Sequence, residues 1–167
     1  MLVDMLESQL VCDEINQWHI LNWSLPKPFI VLWQITDAHI DHYNHVNNAA
    51  YVTQIEKVAW GHSNSIGLTI KEYKALDRAM VIRHHDLNYI HACYLDEQIA
   101  CATWIVFCDK KLRLRRQFQF ISTRTRKTVF TATTDFVCIS LSLGSPKLMP
   151  PSFSETYSNN VTTLSVS

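Results

Sequence analysis

Four long strand-like segments fill the second half of the chain and limit what it can fold into. Each is rich in β-branched and aromatic residues, which favour strands, and they span residues 79–91, 97–109, 112–125 and 128–143. Only short polar links separate them, such as Asp109–Lys111 and Arg126–Lys127. Links this short join antiparallel neighbours, because parallel strands need long crossover connections. The pattern therefore predicts one antiparallel sheet.

A further strand and a long helix are predicted ahead of this sheet. Residues 29–36 have the composition of a strand. From Asn48 to about Ser65, apolar residues such as Tyr51 and Ile55 recur with helical spacing, which indicates a helix of roughly 17 residues with a wide apolar face and few charges. Such a helix packs into a sheet. The order strand, helix, four strands predicts an α+β fold, with one long helix on one antiparallel sheet.

The ends of the long helix are also marked in the sequence. Asn47 or Asn48 can serve as its N-cap, because an asparagine side-chain oxygen accepts a free first-turn N–H. Gly67 is a suitable stop signal. Residues 69–76 are expected to add a short second helix.

The predicted domain covers residues 28–145, in a chain of 167 residues. Residues 1–27 form an N-terminal extension, which is either a docked helix or a loose segment. Residues 146–167 are rich in Ser, Pro, Thr and Asn, and we expect a flexible C-terminal tail there.

Charge and cysteine content exclude several functional classes. Lys and Arg number 15 and Asp and Glu also number 15, so no basic surface for nucleic acid or an anionic membrane is expected. The five cysteines form no CxxC pair, which favours a reducing compartment over a disulfide framework. No basic leader and no apolar run of about 20 residues are present. We therefore expect a cytoplasmic protein without a membrane span.

Side chains that can take part in catalysis or metal binding are concentrated at the junction between the first strand and the long helix. Residues 37–51 hold two carboxylates, three histidines and three asparagines. One hypothesis is a metal site formed by His39, His42 and His45 with Asp37 and Asp41. The segment precedes the helix and so lacks a fixed periodicity that would make these ligands converge; we therefore predict no metal. A second hypothesis is that the polar residues only cap the helix and hold the loop.

A third interpretation rests on a family resemblance. The pattern Asp41-x-x-x-His45-Val46-Asn47-Asn48-x-x-Tyr51-x-x-x-x-Glu56 closely resembles the signature of hotdog-fold acyl-CoA thioesterases. The similarity is to the 4-hydroxybenzoyl-CoA thioesterase-like branch, which includes long-chain acyl-CoA and plant acyl-ACP thioesterases. The stretch from His85 to Asp96, with Tyr89 before a turn, resembles a second segment of that family. The resemblance covers roughly residues 28–145 and implies a hotdog fold, in which the sheet wraps the long helix.

Two positions depart from the family pattern. Asn44 stands where the family usually has Gly, and asparagine tolerates a left-handed backbone almost as well. His91-Ala92 stands where Arg-Pro is common, which puts the substrate class in question rather than the reaction.

The resemblance implies the catalytic roles. Asp41 would act as the nucleophile or as the general base for water, and the sequence leaves both open. The backbone N–H groups around Asn47 and Asn48 would bind the oxyanion. His45 would orient Asp41 or contact the thioester. The predicted catalytic residues are thus Asp41, His45 and Asn48.

The predicted substrate-binding residues are Asn47, Tyr51, Arg124 and Arg126. Tyr51 is expected near the acyl pocket. The two arginines lie at a basic hairpin turn and are candidates for the CoA phosphates, although such a turn is often merely solvated. Glu56 is expected to be a structural carboxylate.

The leading functional hypothesis is hydrolysis of a medium- to long-chain fatty or aryl acyl-CoA, without a cofactor. The resemblance implies a homodimer, or a dimer of dimers, whose sheets join edge to edge. Three alternatives stay open: acyl carrier protein as the carrier, a hydratase on the same fold, and a non-catalytic acyl-binding module.

Overall fold

One antiparallel sheet of five strands forms the framework of the protein. The computed structural model describes residues 17–163. The strands are β1 (Phe29–Gln34), β2 (Ala79–Tyr89), β3 (Gln98–Cys108), β4 (Arg113–Ser122) and β5 (Thr128–Ile139). Their order across the sheet is β1-β3-β4-β5-β2, and every neighbouring pair is antiparallel. The predicted α+β class and the predicted strands are confirmed.

The long helix α1 (Asn48–Ser65) lies against this sheet. Its buried side chains Tyr51, Ile55 and Val58 pack with Phe118 and Phe120 of β4 in the main core. The apolar face of α1 thus forms the core with the sheet, as its spacing predicted.

The caps of α1 also match the sequence signals. Asn47 is the N-cap, and its side-chain oxygen accepts from the N–H of Ala49 at 2.9 Å. Gly67 follows the helix with a φ of +86°, a conformation that glycine adopts without strain. The short helix α2 (Ile70–Ala75) comes next, where a second helix was predicted.

Residues 17–25 cover the face of the sheet opposite α1. Leu21 is buried in a cluster with Trp104 and Ile121. Gln119 accepts from the N–H of Ser24 at 2.8 Å and donates to the carbonyl oxygen of Asn22 at 3.1 Å. Of the N-terminal extension, the described part is therefore docked, with a single 3-10 turn at Gln17–Ile20. The helix considered for the earlier residues lies outside the described part of the chain.

The expectation of a flexible tail after residue 145 is wrong for the helix α3 (Pro151–Asn159). Phe153 and Tyr157 are one helical turn apart and fully buried, and the Phe153 ring packs against Tyr73 of α2 at 4.7 Å. Val161 then forms a bridge to Ile105 of β3. Burial of these aromatic rings, with Met149 in the same cluster, stabilises a segment whose other residues have the composition of a loop.

Three of the cysteines lie in the interior of the fold. Cys93, Cys101 and Cys138 are free and buried, so these thiols behave as small apolar side chains, as expected. No helix among residues 17–163 is both long and apolar enough to cross a membrane.

Candidate active site

A tight turn from Asp41 to His45 forms one wall of the site. The N–H of Asp41 donates to the carbonyl oxygen of His45 at 2.9 Å, and the N–H of Asn44 donates to the carbonyl oxygen of Asp41 at 3.0 Å. Asn44 has a φ of +61°. The left-handed conformation anticipated at this position is therefore present, and it closes the turn.

The carboxylate of Asp41 is held at one oxygen only. Oδ1 accepts from the N–H of Tyr43 at 2.8 Å and more weakly from the N–H of His45 at 3.4 Å. Oδ2 has no hydrogen-bond partner in the part of the chain that the structure describes. The side chain is half-buried. One oxygen thus fixes the orientation of the carboxylate, and the other is free to accept a proton or attack a carbonyl carbon.

At the start of α1, one backbone N–H has no acceptor among the described residues. The N–H of Asn47 donates to the carbonyl oxygen of His39 at 2.8 Å, and that of Ala50 donates to the carbonyl oxygen of Asn47 at 2.9 Å. The N–H of Ala49 is taken by the cap. Within residues 17–163 the N–H of Asn48 donates to no acceptor. A helix N-terminus favours negative charge, so this N–H can stabilise an oxyanion.

The structure brings four of the predicted site residues to one depression of about 380 Å³. They are Asp41, His45, Asn48 and Tyr51. Residues 89–92, which end β2 and start the following loop, complete the wall. The His91-Ala92 pair, where this chain departs from the family pattern, is therefore part of the rim.

Two tyrosines form the apolar floor of this depression. Tyr51 is buried, with its ring 5.4 Å from that of Tyr89 and 4.9 Å from that of Phe130. Burial raises the pKa of Tyr51 far above its ordinary value, and a hydrogen bond with the Cys93 thiol adds to this. Tyr51 thus stays a neutral phenol, suited to a pocket wall. The hydroxyl of Tyr89 donates to the carbonyl oxygen of Asn48 at 3.3 Å, which links β2 to the helix start.

Asn47 and the two arginines lie apart from the depression. The side chain of Asn47 caps α1 and lines a different concavity, with His39 and Thr53. Arg124 pairs with the nearly buried Glu97, and this pairing raises the pKa of Arg124. Arg126 lies at the β4–β5 turn with a φ of +58° and an exposed side chain.

A short chain of contacts nevertheless connects Arg124 to His45. Glu97 accepts the N–H of Tyr94 at 3.2 Å, besides pairing with Arg124. The ring of Tyr94 then packs edge-on against the ring of His45 at 5.3 Å. Only Glu97 and Tyr94 therefore lie between Arg124 at the β4–β5 turn and His45 at the edge of the depression.

The remaining polar residues of the junction lie outside the depression. His39 accepts the N–H of Thr36 at 3.0 Å and packs against Trp33, while Asp37 and His42 are exposed. Across residues 17–163, no three His, Cys, Asp or Glu side chains are placed to hold a metal ion.

Sequence comparison identifies the family of the protein. Residues 33–156 match the family described as the thioesterase-like superfamily. The chain belongs to this superfamily. A search of curated proteins found no match to this sequence.

Solved structures confirm that the fold of this superfamily member is a hotdog fold. A DHNA-CoA thioesterase from Staphylococcus aureus superposes with a TM-score of 0.73 at 17% identity, over 79% of this chain and 89% of that chain. A second Staphylococcus aureus protein, solved in complex with CoA, gives 0.75 at 22% identity, over 87% and 93%. The 12:0-ACP thioesterase from Umbellularia californica gives 0.73 at 14% identity, over 82% of this chain and 51% of that chain.

The sequence alone does not indicate the position of several residues that shape the candidate site. Tyr89 belongs to the family pattern, but only the fold shows that its register on β2 puts its ring beside Tyr51. No spacing rule signals Tyr94 or Glu97, because they reach His45 and Arg124 only through the folded loop between β2 and β3.

Proposed function

We propose that this protein hydrolyses an acyl-CoA thioester, with a medium- to long-chain fatty or aryl acyl group, and that Asp41 is the catalytic carboxylate. One observation supports this most directly. The free Oδ2 of Asp41 and the free N–H of Asn48 belong to residues that line the same depression. A thioester needs both, because an attacking oxygen approaches the carbonyl carbon while a donor stabilises the oxygen that gains negative charge.

Two routes use these groups. As general base, Asp41 takes a proton from water while the water oxygen bonds to the carbonyl carbon and the oxyanion accepts from the N–H of Asn48. The C–S bond then breaks, and the thiolate leaves and takes the proton. As nucleophile, Oδ2 itself bonds to the carbonyl carbon and expels the thiolate, which leaves a mixed anhydride for water to hydrolyse. Both routes end in a free acid and a free thiol.

His45 is proposed as a positioning residue for Asp41. Its backbone N–H reaches Oδ1 of Asp41, and its ring is held by Tyr94 at the edge of the depression. Tyr51 is proposed to line the acyl side of the site. Asn47 is proposed to act on substrate indirectly, by fixing the first turn of α1.

CoA is the proposed carrier, with Arg124 and Arg126 as candidate contacts for its phosphates. The side chain of Arg124 is 68% exposed at the β4–β5 turn, so its guanidinium can accept a second anionic partner beside Glu97. Acyl carrier protein is the alternative carrier. Hydrolysis rates of CoA and carrier-protein thioesters with the same acyl chain distinguish the two.

A homodimer, or a dimer of dimers, is the proposed assembly. β2 is an outer strand of the sheet. Val81, Ile82 and Tyr89 along it, with Ile90 beyond it, are exposed apolar residues, and a second copy of the strand would cover them. Light scattering on the purified protein measures the mass of the assembly, which distinguishes a monomer, a dimer and a dimer of dimers. The free, buried cysteines support a reducing compartment, for which we propose the cytoplasm.

A thiol-release assay over a panel of acyl-CoA substrates tests the proposed reaction. We expect stoichiometric free acid and CoA, with a rate that depends on the acyl group. An enoyl product without free thiol would identify a hydratase instead. Saturable acyl-CoA binding without any product would identify a binding module.

A further inference from the structure

The ring of Tyr94 holds the imidazole of His45 beside the Asp41 depression. The two ring centroids are 5.3 Å apart and the ring planes meet at 81°, the edge-to-face arrangement that aromatic rings favour. Within residues 17–163 the imidazole of His45 forms no hydrogen bond. The place of this ring at the depression therefore depends on the place of Tyr94.

Glu97 bonds to both backbone groups of Tyr94. The N–H of Tyr94 donates to Oε2 of Glu97 at 3.2 Å, and the N–H of Glu97 donates to the carbonyl oxygen of Tyr94 at 3.3 Å. The side chain of Tyr94 is 46% exposed, so burial does little to fix it. The two bonds to Glu97 are what hold this part of the loop between β2 and β3.

Glu97 has anchors of its own in the sheet. Its carbonyl oxygen accepts from the N–H of Ile35 at 2.9 Å, and Ile35 is fully buried just after β1. Its Oε1 accepts from Nε of Arg124 at 3.0 Å and also pairs with Nη2 of that arginine. Glu97 thus connects Tyr94 to β1 and to the β4–β5 turn.

The bonds of Glu97 contribute geometry more than stability. The side chain of Arg124 is 68% exposed, and an ion pair with so exposed an arginine adds little to the free energy of unfolding. The Glu97 side chain is only 8% exposed, and its two oxygens have different partners, Arg124 and Tyr94. A carboxylate that is held at both oxygens keeps one orientation, and so fixes the position of Tyr94.

We propose that Glu97 is a positioning residue of the candidate site, which acts through Tyr94 on the imidazole of His45. The inference rests on the proposed hydrolysis, in which His45 orients Asp41. Without the Glu97 carboxylate, the N–H of Tyr94 loses its acceptor, and the edge-to-face contact with His45 is lost. Misplacing a group at the reacting centre by about 1 Å can cost a hundredfold in rate, and we expect about tenfold here because two contacts lie between.

Proton NMR of the His45 ring tests the contact without any substrate. Comparison with His45→Gln assigns the resonances, which sense the ring current of Tyr94. Glu97→Ala should shift them in the same direction as Tyr94→Leu, an exposed change that removes the ring. Asp96→Asn, which alters the exposed neighbour of Glu97, is the matched control and should leave them unchanged. Wild-type His45 resonances in Glu97→Ala would overturn the proposal.

Thiol release then separates positioning from binding. Glu97→Ala and Tyr94→Leu should each lower kcat about tenfold with KM within about twofold of wild type, whereas Asp96→Asn should keep both constants. Tyr94→Phe keeps the ring and should rescue both the resonances and kcat. A shifted His45 ring with wild-type kcat would show that Glu97 does not serve the reaction. No thiol release by the wild-type protein would instead overturn the proposed hydrolysis and, with it, the role of Glu97 in turnover.

Discussion

The backbone N–H of Val46 donates to the carbonyl oxygen of Cys93 at 2.9 Å. This bond ties the segment ahead of α1 to the loop between β2 and β3, which lie far apart in the sequence. It brings the Asp41 turn beside residues 89–92, the other wall of the depression. Main-chain bonds therefore assemble the site, and the side chains that control the backbone should matter as much as those that face the substrate.

Asn44 is the first such residue. Asn44→Val should lower the free energy of unfolding by about 1 kcal/mol or more, because a β-branched residue resists a φ of +61°. It should also lower kcat more than KM, since the turn that holds Asp41 is distorted. Asn44→Gly is the control and should keep wild-type stability and activity, because glycine adopts this conformation freely. Equal stability of the Val and Gly variants in denaturant titrations would contradict this role.

His62 should make stability depend on pH. Burial lowers its pKa in the folded protein from 6.5 to about 3, so below pH 6.5 the unfolded chain binds the proton more readily. The free energy of unfolding therefore decreases as the pH falls from 6.5 toward 3, and His62 does not affect it above this range. Between pH 7 and 5 the loss due to His62 should be about 2 kcal/mol.

Denaturant unfolding of His62→Gln measures that loss. Nη1 of Arg116 donates to Nδ1 of His62 at 2.8 Å. Glutamine keeps an acceptor for Arg116 but does not titrate, so this variant should show a flatter pH dependence than wild type. His42→Gln, which changes an exposed histidine, should retain the wild-type slope. If the free energy of unfolding changed equally with pH in wild type and in His62→Gln, protonation of His62 would not be coupled to folding.

Phe153 tests whether α3 is part of the fold. Phe153→Ala should lower the free energy of unfolding by about 3 kcal/mol or more, because the ring is fully buried and its removal leaves a cavity beside Tyr73. Glu155→Ala, an exposed change in the same helix, should stay within about 0.5 kcal/mol of wild type. A Phe153→Ala protein as stable as the control would contradict this prediction. Residues 151–159 would then form the flexible tail that their composition suggested.

The sequence predicted the sheet and α1 well, because these depend on patterns that are local and long. Period-two alternation and short links specify β2 to β5, and Asn47 caps α1 where a cap was expected. It did not predict α3, because a single pair of aromatic residues in a short polar segment is too little to establish a helical period.

The candidate site could be predicted only in part, for a related reason. The turn from Asp41 to the helix start is contiguous, so the family pattern identifies it directly. The contacts of Tyr94 with His45 and of Glu97 with Arg124 depend on how a loop folds over the sheet. The burial of Arg116 depends on register, because an arginine in an alternating strand is ordinarily expected to face water.

Thiol release by Asp41→Asn measures whether thioester hydrolysis needs the Asp41 carboxylate. Asparagine retains an Oδ1 that can accept the N–H of Tyr43, so the turn should persist and thermal unfolding should match wild type. Asp37→Asn, in the same loop with an exposed carboxylate, is the matched control. We predict that kcat/KM of Asp41→Asn falls about a thousandfold while Asp37→Asn keeps wild-type turnover. Wild-type turnover by a folded Asp41→Asn protein would show that Asp41 is not the catalytic carboxylate.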